Sequence, residues 1–195
     1  RAAFCVTSEP LPDACHADTP DFFTLTGGST GAPKLIHRTQ ASWIASFTAN
    51  AAMFQLTQNR AVAVLGNLSH SLALYGVLEG FHLGLDVHAL DGLGAAAQRA
   101  AMRRAGVDVL YATPAQLRVL DTRAKTPLPD VRLILCGGGA LDGTTEAAVA
   151  RLCPNAVLHR FYGAAETSFV ALSTADTPKG AVGPPYPDVE VSLQS

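Results

Sequence analysis

Charge is scarce in this sequence. Only 15% of the 195 residues are Asp, Glu, Lys or Arg, and the net charge is −2. No basic stripe exists to follow a phosphodiester backbone, so a nucleic-acid partner is not expected, and neither is a cationic face for a membrane surface. Long apolar runs are missing as well. None approaches the roughly 20 residues that a spanning helix requires, so no membrane span is expected. The four cysteines, Cys5, Cys15, Cys136 and Cys153, lack any CxxC spacing, which argues against a zinc site or a redox pair. Scattered cysteines among apolar stretches suit a reducing compartment, and a cytoplasmic location follows as the expectation. His16, His37, His82, His88 and His159 show no metal-ligand spacing, and His82 and His88 read as ordinary surface or packing residues. The chain opens on Arg1 with no cationic-then-apolar export signal behind it. A piece of a longer protein is the expectation.

What is present is a buried α/β pattern. Apolar residues make up 48% of the chain, enough for one substantial domain with a real core. Residues 1–20 read as a loop or a truncated edge, and Phe22 to Leu25 as a strand ending. Helical spacing of Trp43, Phe47, Met53 and Phe54 predicts a helix from Thr39, its N-cap, to Leu56. Short apolar runs predict strands at 60–65, 86–90, 107–112, 131–136 and 156–161. Helices are predicted at 72–83, 95–105, from Pro114 to about 123, and at about 142–152. A last short strand is expected over 189–193. The strand–helix alternation argues a mainly parallel sheet with helices on both faces.

Within this frame one stretch concentrates unusual chemistry: Thr24-Leu25-Thr26-Gly27-Gly28-Ser29-Thr30-Gly31-Ala32-Pro33-Lys34. Glycine allows tight turns and close approach of the backbone to a ligand. Successive N–H groups in such a turn make a concave nest for anions, and the three hydroxyls add donors. Lys34 adds a compact positive charge suited to phosphate oxygens. The loop is expected to hang from a sheet edge and cradle a polyphosphate. It is not a Walker loop, because Pro33 precedes the lysine and Leu35 takes the position of the metal-binding hydroxyl. The plain alternative is a flexible Gly/Ser turn.

In open parallel sheets, ligands collect beyond the carboxyl ends of the strands. Four segments are expected there: the loop just described, His70, Gly137-Gly138-Gly139, and Tyr162-Gly163-Ala164-Ala165-Glu166-Thr167. For His70 the alternative is a packed or turn histidine. For the glycines it is a tight turn, and for Glu166 a solvated or helix-starting acid.

Ser29-Thr30-Gly31-Ala32-Pro33-Lys34 and Tyr162-Gly163-Ala164-Ala165-Glu166 resemble motifs of the adenylate-forming (AMP-binding) superfamily, which includes acyl-CoA synthetases, aryl-acid ligases and the adenylation domains of peptide synthetases. The resemblance covers residues from about Phe22 onward and implies the central part of that family's large N-terminal domain, with residues 1–195 a partial core domain. It implies ATP-dependent activation of a small-molecule carboxylic acid to an acyl-adenylate. The acyl group then passes to the thiol of CoA or of a carrier-bound phosphopantetheine, an acyl carrier protein being the partner in the second case. Thr26, Gly27, Gly28, Ser29, Thr30, Gly31 and Lys34 would hold the ATP phosphates. Gly137, Gly138, Gly139, Tyr162 and Gly163 would face the adenine, and Glu166 would hold Mg²⁺. Lys34, His70 and Glu166 would be the catalytic residues, His70 gating the acyl pocket.

The sequence departs from the family pattern at Ala165, where a threonine is usual, and at Ser71, where aryl-acid members often carry asparagine. The run from Leu25 to Thr39 nevertheless looks closer to aryl-acid ligases than to peptide synthetases. Within the 195 residues there is no Thr-Gly-Asp motif for the ribose and no small C-terminal domain with its lysine. The 195 residues alone are therefore expected to bind ATP weakly at best and not to adenylate. Rival readings are a non-catalytic acyl- or nucleotide-binding module and a phosphotransferase that uses the same loop. The second would need a base near Lys34, and the loop contains no Asp to serve.

Overall fold

The computed structural model describes residues 4–5, 21–25, 34–121, 124–178 and 180–192. Two sheets are formed. In the smaller, β1 (Phe4–Cys5), β2 (Asp21–Leu25) and β3 (Leu35–Thr39) lie in the order β1-β2-β3. β2 and β3 are antiparallel, with Leu25 opposite Leu35 and Asp21 opposite Thr39. β3 is absent from the sequence expectations because Leu-Ile-His-Arg-Thr has no clean apolar run. Its pairing to β2 makes it a strand. The predicted loop lies in sequence between β2 and β3, with β2 in the middle of its sheet.

α1 (Gln40–Phe54) follows directly, capped by Thr39, whose hydroxyl accepts from the Ser42 N–H at 3.3 Å. Then come β4 (Ala61–Val64), α2 (Ser71–Leu83), β5 (Asp86–Ala89), α3 (Ala95–Ala105), β6 (Val109–Ala112), α4 (Pro114–Asp121), β7 (Leu133–Cys136), α5 (Gly143–Leu152), β8 (Val157–Ala164) and β9 (Ser168–Leu172). Glycine at Gly84 and Gly106 ends α2 and α3 in the left-handed conformation that glycine adopts at least cost. The Asp142 carboxylate starts α5 by accepting from the Thr145 N–H at 2.8 Å.

The larger sheet has the order β5-β4-β6-β7-β8-β9. Its pairs are parallel from β5 to β8, and β9 joins antiparallel. Strand side chains alternate between two cores, as the two-residue period requires. Val62, Val64, Val109, Tyr111, Leu133 and Leu135 face one core with Trp43, Phe47 and Leu74 from α1 and α2. Ala61, Ala63, Leu110, Ala112, Ile134 and Cys136 face the other with Met102, Leu117 and Val149 from α3, α4 and α5. Helices therefore cover both faces, as the alternation implied. α2 lies especially close to the sheet: a Cβ on Gly76 would sit 2.8 Å from Val64 and 2.9 Å from Tyr111.

Two further expectations change. β9 was not anticipated, because Ser168-Phe-Val-Ala-Leu172 directly follows the Tyr162–Thr167 motif and becomes a strand only by turning back on β8. No strand forms over residues 189–192, the described part of the predicted last strand. Asp188 has φ +61° and the Val189 N–H returns to the Tyr186 carbonyl at 3.0 Å, so a turn ends at Val189 and residues 189–192 carry no regular structure. Cys136 and Cys153 are free and buried, and burial pushes both thiols up to about 12. They are packing residues rather than nucleophiles.

Candidate functional site

Parallel strands send their carboxyl ends to one edge, and described candidates collect at that edge. His70 follows β4, Gly137–Gly139 follow β7, and Tyr162, Gly163 and Glu166 lie at the end of β8. The loop residues Thr26, Gly27, Gly28, Ser29, Thr30 and Gly31, with Ala32 and Pro33, lie outside the described residues. Both ends of that loop are described. At one end, Leu25 forms a bridge with His70, and its N–H donates to the Ser69 carbonyl at 3.4 Å. At the other, Lys34 is exposed and leads into β3. The loop therefore springs from a point beside His70.

Local chemistry accounts for each position. His70 is exposed and is the N-cap residue of α2, without a side-chain cap bond. Gly137 has a packing reason to be glycine, since a Cβ there would lie 2.1 Å from the Phe161 ring. Gly138 has φ +80°. Gly138 therefore has a turn conformation, whereas Gly137 is glycine for packing. Gly163 sits at a register shift between β8 and β9, where a Cβ would meet the Ser168 carbonyl at 1.9 Å. Tyr162 is 58% exposed, an aromatic residue accessible to solvent at the end of β8. Residues 165–167 form the β8–β9 turn rather than a helix start, and Glu166 stands exposed on it. The turn is closed by the Thr167 N–H to the Ala164 carbonyl at 3.2 Å and by the Ala164 N–H to the Thr167 hydroxyl at 3.2 Å.

Of the remaining described histidines, His37, His159 and His82 have evident neighbours, whereas the His88 Nε2 is buried without a hydrogen-bond partner. His37 bonds the Asp21 carboxylate across the hairpin at 2.8 Å. His159 contacts the Ser173 carbonyl at 2.7 Å, and the His82 ring lies 5.6 Å from that of Phe47. Among the described residues there is no group of three metal-ligating side chains, and no helix is long and apolar enough to cross a membrane. A cleft of about 570 Å³ bordered by Arg60, Gly106, Asp108, Asp130 and Arg132 opens at the opposite edge of the sheet. Arg60 and Asp108 pair there at 2.6 Å, ahead of β4 and β6.

Two acid-centred features escape sequence reasoning. Arg38 reaches from β3 to the Glu166 turn, with no local pattern to announce it. Glu79 is fully buried in α2. Its carboxylate accepts from Asn50 at 2.8 Å and from the Tyr111 hydroxyl at 2.5 Å, with the Tyr75 and Tyr186 hydroxyls bonded to Asn50. Burial raises the Glu79 carboxyl to about 7, partly offset by the hydrogen bonds from Tyr111, Asn50 and Tyr75. The signal in the sequence was an acid in the otherwise apolar run Leu72–Phe81, four residues after Tyr75 on the same helix face.

A family model described as AMP-binding enzyme matches residues 3–194. The chain belongs to that family. As an AMP-binding chain it shares 29% identity over 191 residues with the uncharacterized acyl-CoA ligase YhfT of Bacillus subtilis (strain 168), covering 96% of this chain and 40% of YhfT. It shares 30% over 166 residues with the salicyl-AMP ligase / salicyl-S-ArCP synthetase of Mycobacterium tuberculosis (strain ATCC 25618 / H37Rv), covering 82% of this chain and 29% of that protein. The AMP-binding chain thus spans 29% to 40% of the length of these relatives. Among solved structures, O-succinylbenzoate Coenzyme A Synthetase (MenE) from Bacillus subtilis, in complex with ATP and magnesium ion, superposes with a TM-score of 0.77 at 19% identity. That match covers 89% of this chain and 37% of MenE. VinN in complex with L-aspartate superposes with a TM-score of 0.73 at 22% identity, over 85% of this chain and 43% of VinN. At such identities the likeness is one of fold, and the α/β fold of the AMP-binding chain is that of adenylate-forming enzymes.

Proposed function

We propose that this protein is an AMP-forming acid–thiol ligase. It activates a carboxylic acid with ATP as an acyl-adenylate, then passes the acyl group to the thiol of CoA or of a carrier-bound phosphopantetheine. The observation that supports this most is the gathering of His70, Tyr162 and the Glu166 turn at one sheet edge, with the Thr26–Lys34 loop springing from Leu25 beside His70.

In this reading Thr26, Ser29, Thr30 and Lys34 hold the β- and γ-phosphates of ATP, together with the N–H groups of Gly27, Gly28 and Gly31. A substrate carboxylate oxygen attacks the α-phosphorus while the bond to the bridging oxygen breaks. Pyrophosphate leaves with that electron pair, and Lys34 and the loop donors stabilise its growing charge. The exposed Tyr162 ring takes the adenine face, and Gly137–Gly139 and Gly163 leave room beside it. His70 positions the incoming carboxylate at the mouth of the acyl pocket.

Glu166 suits Mg²⁺ because that ion is commonly held by one or two carboxylates plus substrate phosphates rather than by a cage of protein ligands. An exposed single carboxylate on a turn, with no cluster of three metal-ligating side chains among the described residues, fits that pattern. When bound, Mg²⁺ neutralises phosphate charge and orients the displacement.

The test is acid-dependent ATP–pyrophosphate exchange by the natural full-length chain carrying these residues, run against aryl, medium-chain and long-chain acids. AMP and pyrophosphate are the expected products with one acid class, and residues 1–195 alone show no measurable exchange. ADP as product would make the protein a phosphotransferase. ATP binding without turnover of any acid would make it a binding module.

A further inference from the structure

Arg38 is the residue for which neither the loop nor the Glu166 motif has a use. It lies on β3, four residues beyond Lys34, and therefore on the arm of the hairpin that leaves the phosphate loop. Its Nη1 donates to the carbonyl of Ala165 at 3.2 Å and to the carbonyl of Glu166. Its Nη2 donates to the Ser168 hydroxyl at 2.9 Å and to the Ser42 hydroxyl at 3.3 Å. One guanidinium thus joins β3 to the first turn of α1, four residues on, and to the β8–β9 turn, 127 to 130 residues away. Partial burial lowers the affinity of Arg38 for its proton, while the nearby Glu166 charge raises it.

The geometry of those bonds matters more than their number. Two acceptors are main-chain carbonyls of the turn that carries Glu166, so the grip is on the backbone and leaves the carboxylate itself available. The bonds within the turn, between Ala164 and Thr167, set its shape but do not tie it to β3. A planar guanidinium fork holds several acceptors in a fixed relation, which an ammonium on a flexible stem does not.

We propose that Arg38 is a positioning residue: it locks the Ala165–Ser168 turn to β3 and so holds the Glu166 carboxylate at a constant offset from the Lys34 end of the loop. This rests on the reading of Glu166 as the Mg²⁺ carboxylate. Removing a group that orients a metal ligand commonly weakens metal binding by 10- to 100-fold.

The experiment is a Mg²⁺ titration of pyrophosphate exchange at saturating ATP and acid, in the natural full-length chain. Arg38→Ala is expected to raise the half-saturating Mg²⁺ concentration by about tenfold, with the KM for the acid unchanged. Arg38→Lys, which keeps the charge and loses the fork, is expected to show most of the same rise. It serves as the variant of record where Arg38→Ala does not fold. In a Glu166→Gln background, Arg38→Ala is expected to add nothing further, because residues acting through one another are non-additive. A merely structural arginine would lower the folded fraction while the Mg²⁺ requirement stayed put, and that result overturns the inference. An unchanged Mg²⁺ requirement in Glu166→Gln itself overturns the underlying reading of Glu166 instead, so the two failures are distinguishable.

Discussion

Two glutamates in this molecule occupy opposite worlds. Glu79 is sealed between α1, α2 and β6, with its oxygens bonded to Asn50 and Tyr111. Glu166 stands exposed on a turn whose backbone is gripped by Arg38. In the first case the protein satisfies the carboxylate. In the second it satisfies the main chain around the carboxylate and leaves the acid facing out. A buried carboxyl group that is hydrogen-bonded on both oxygens specifies one arrangement of the helices around it, because no neighbouring packing offers the same partners. An exposed acid on a restrained turn is suited to meeting a ligand. The difference teaches that residue type says little about role until the burial and bonding of the surrounding backbone are known.

The comparison breaks if the two acids respond alike to removal. Glu79→Ala is expected to cost roughly 3–5 kcal/mol, measured by urea unfolding, because it opens a cavity and strands the Asn50 and Tyr111 donors. Glu166→Gln is expected to leave the unfolding midpoint within about 0.5 kcal/mol of wild type, as for other exposed substitutions. Equal losses would mean that Glu166 is a structural acid.

A pH series sharpens the contrast. The Glu79 carboxyl rises from an ordinary 4.5 to about 7 in the folded protein, so folding favours its protonated form. Its contribution is fully present below about pH 4.5 and is lost as pH rises through about 7. At 1.36 kcal/mol per pH unit this amounts to at most about 3 kcal/mol. Wild type is therefore expected to lose stability relative to Glu79→Gln between pH 5 and pH 8. A flat difference across that range would show that Glu79 is ionised throughout.

Within the Glu79 network, Tyr186→Phe is expected to cost less than Glu79→Ala. It removes the hydroxyl that donates to Asn50 at 2.6 Å and contacts the Ser46 carbonyl at 3.1 Å. A loss of about 1 kcal/mol follows, near the net worth of one buried hydrogen bond. A larger loss, read in the same urea titration, would mark Tyr186 as the keystone of the Glu79 network rather than one of its outer members.

Much of this architecture could be read from residues alone. Ala61–Val64, Val109–Ala112 and Leu133–Cys136 are continuous apolar runs of strand length, and each is fully buried in the sheet. Thr39, Gly84, Asp142 and Gly106 punctuate helices where capping chemistry demands. The Thr26–Lys34 stretch and the Tyr162–Glu166 motif were likewise visible as motifs. The misreadings share one cause. Leu35–Thr39 and Ser168–Leu172 are strands only because a neighbour pairs with them, whereas Val189–Val191 alternates like a strand and finds no such neighbour among the described residues.

Hydrophobic period, caps and turn residues act over a few positions, so the order of strands and helices and the family resemblance were already written in the chain. Contacts such as Arg38 with the Glu166 turn, or Glu79 with Asn50 and Tyr111, join residues 29 to 130 positions apart. They exist because the strand order β5-β4-β6-β7-β8-β9 and the β2–β3 hairpin bring those side chains together. Which acid is sealed and which is offered to solvent was therefore decided by packing, since burial is a property of the neighbours and not of the residue.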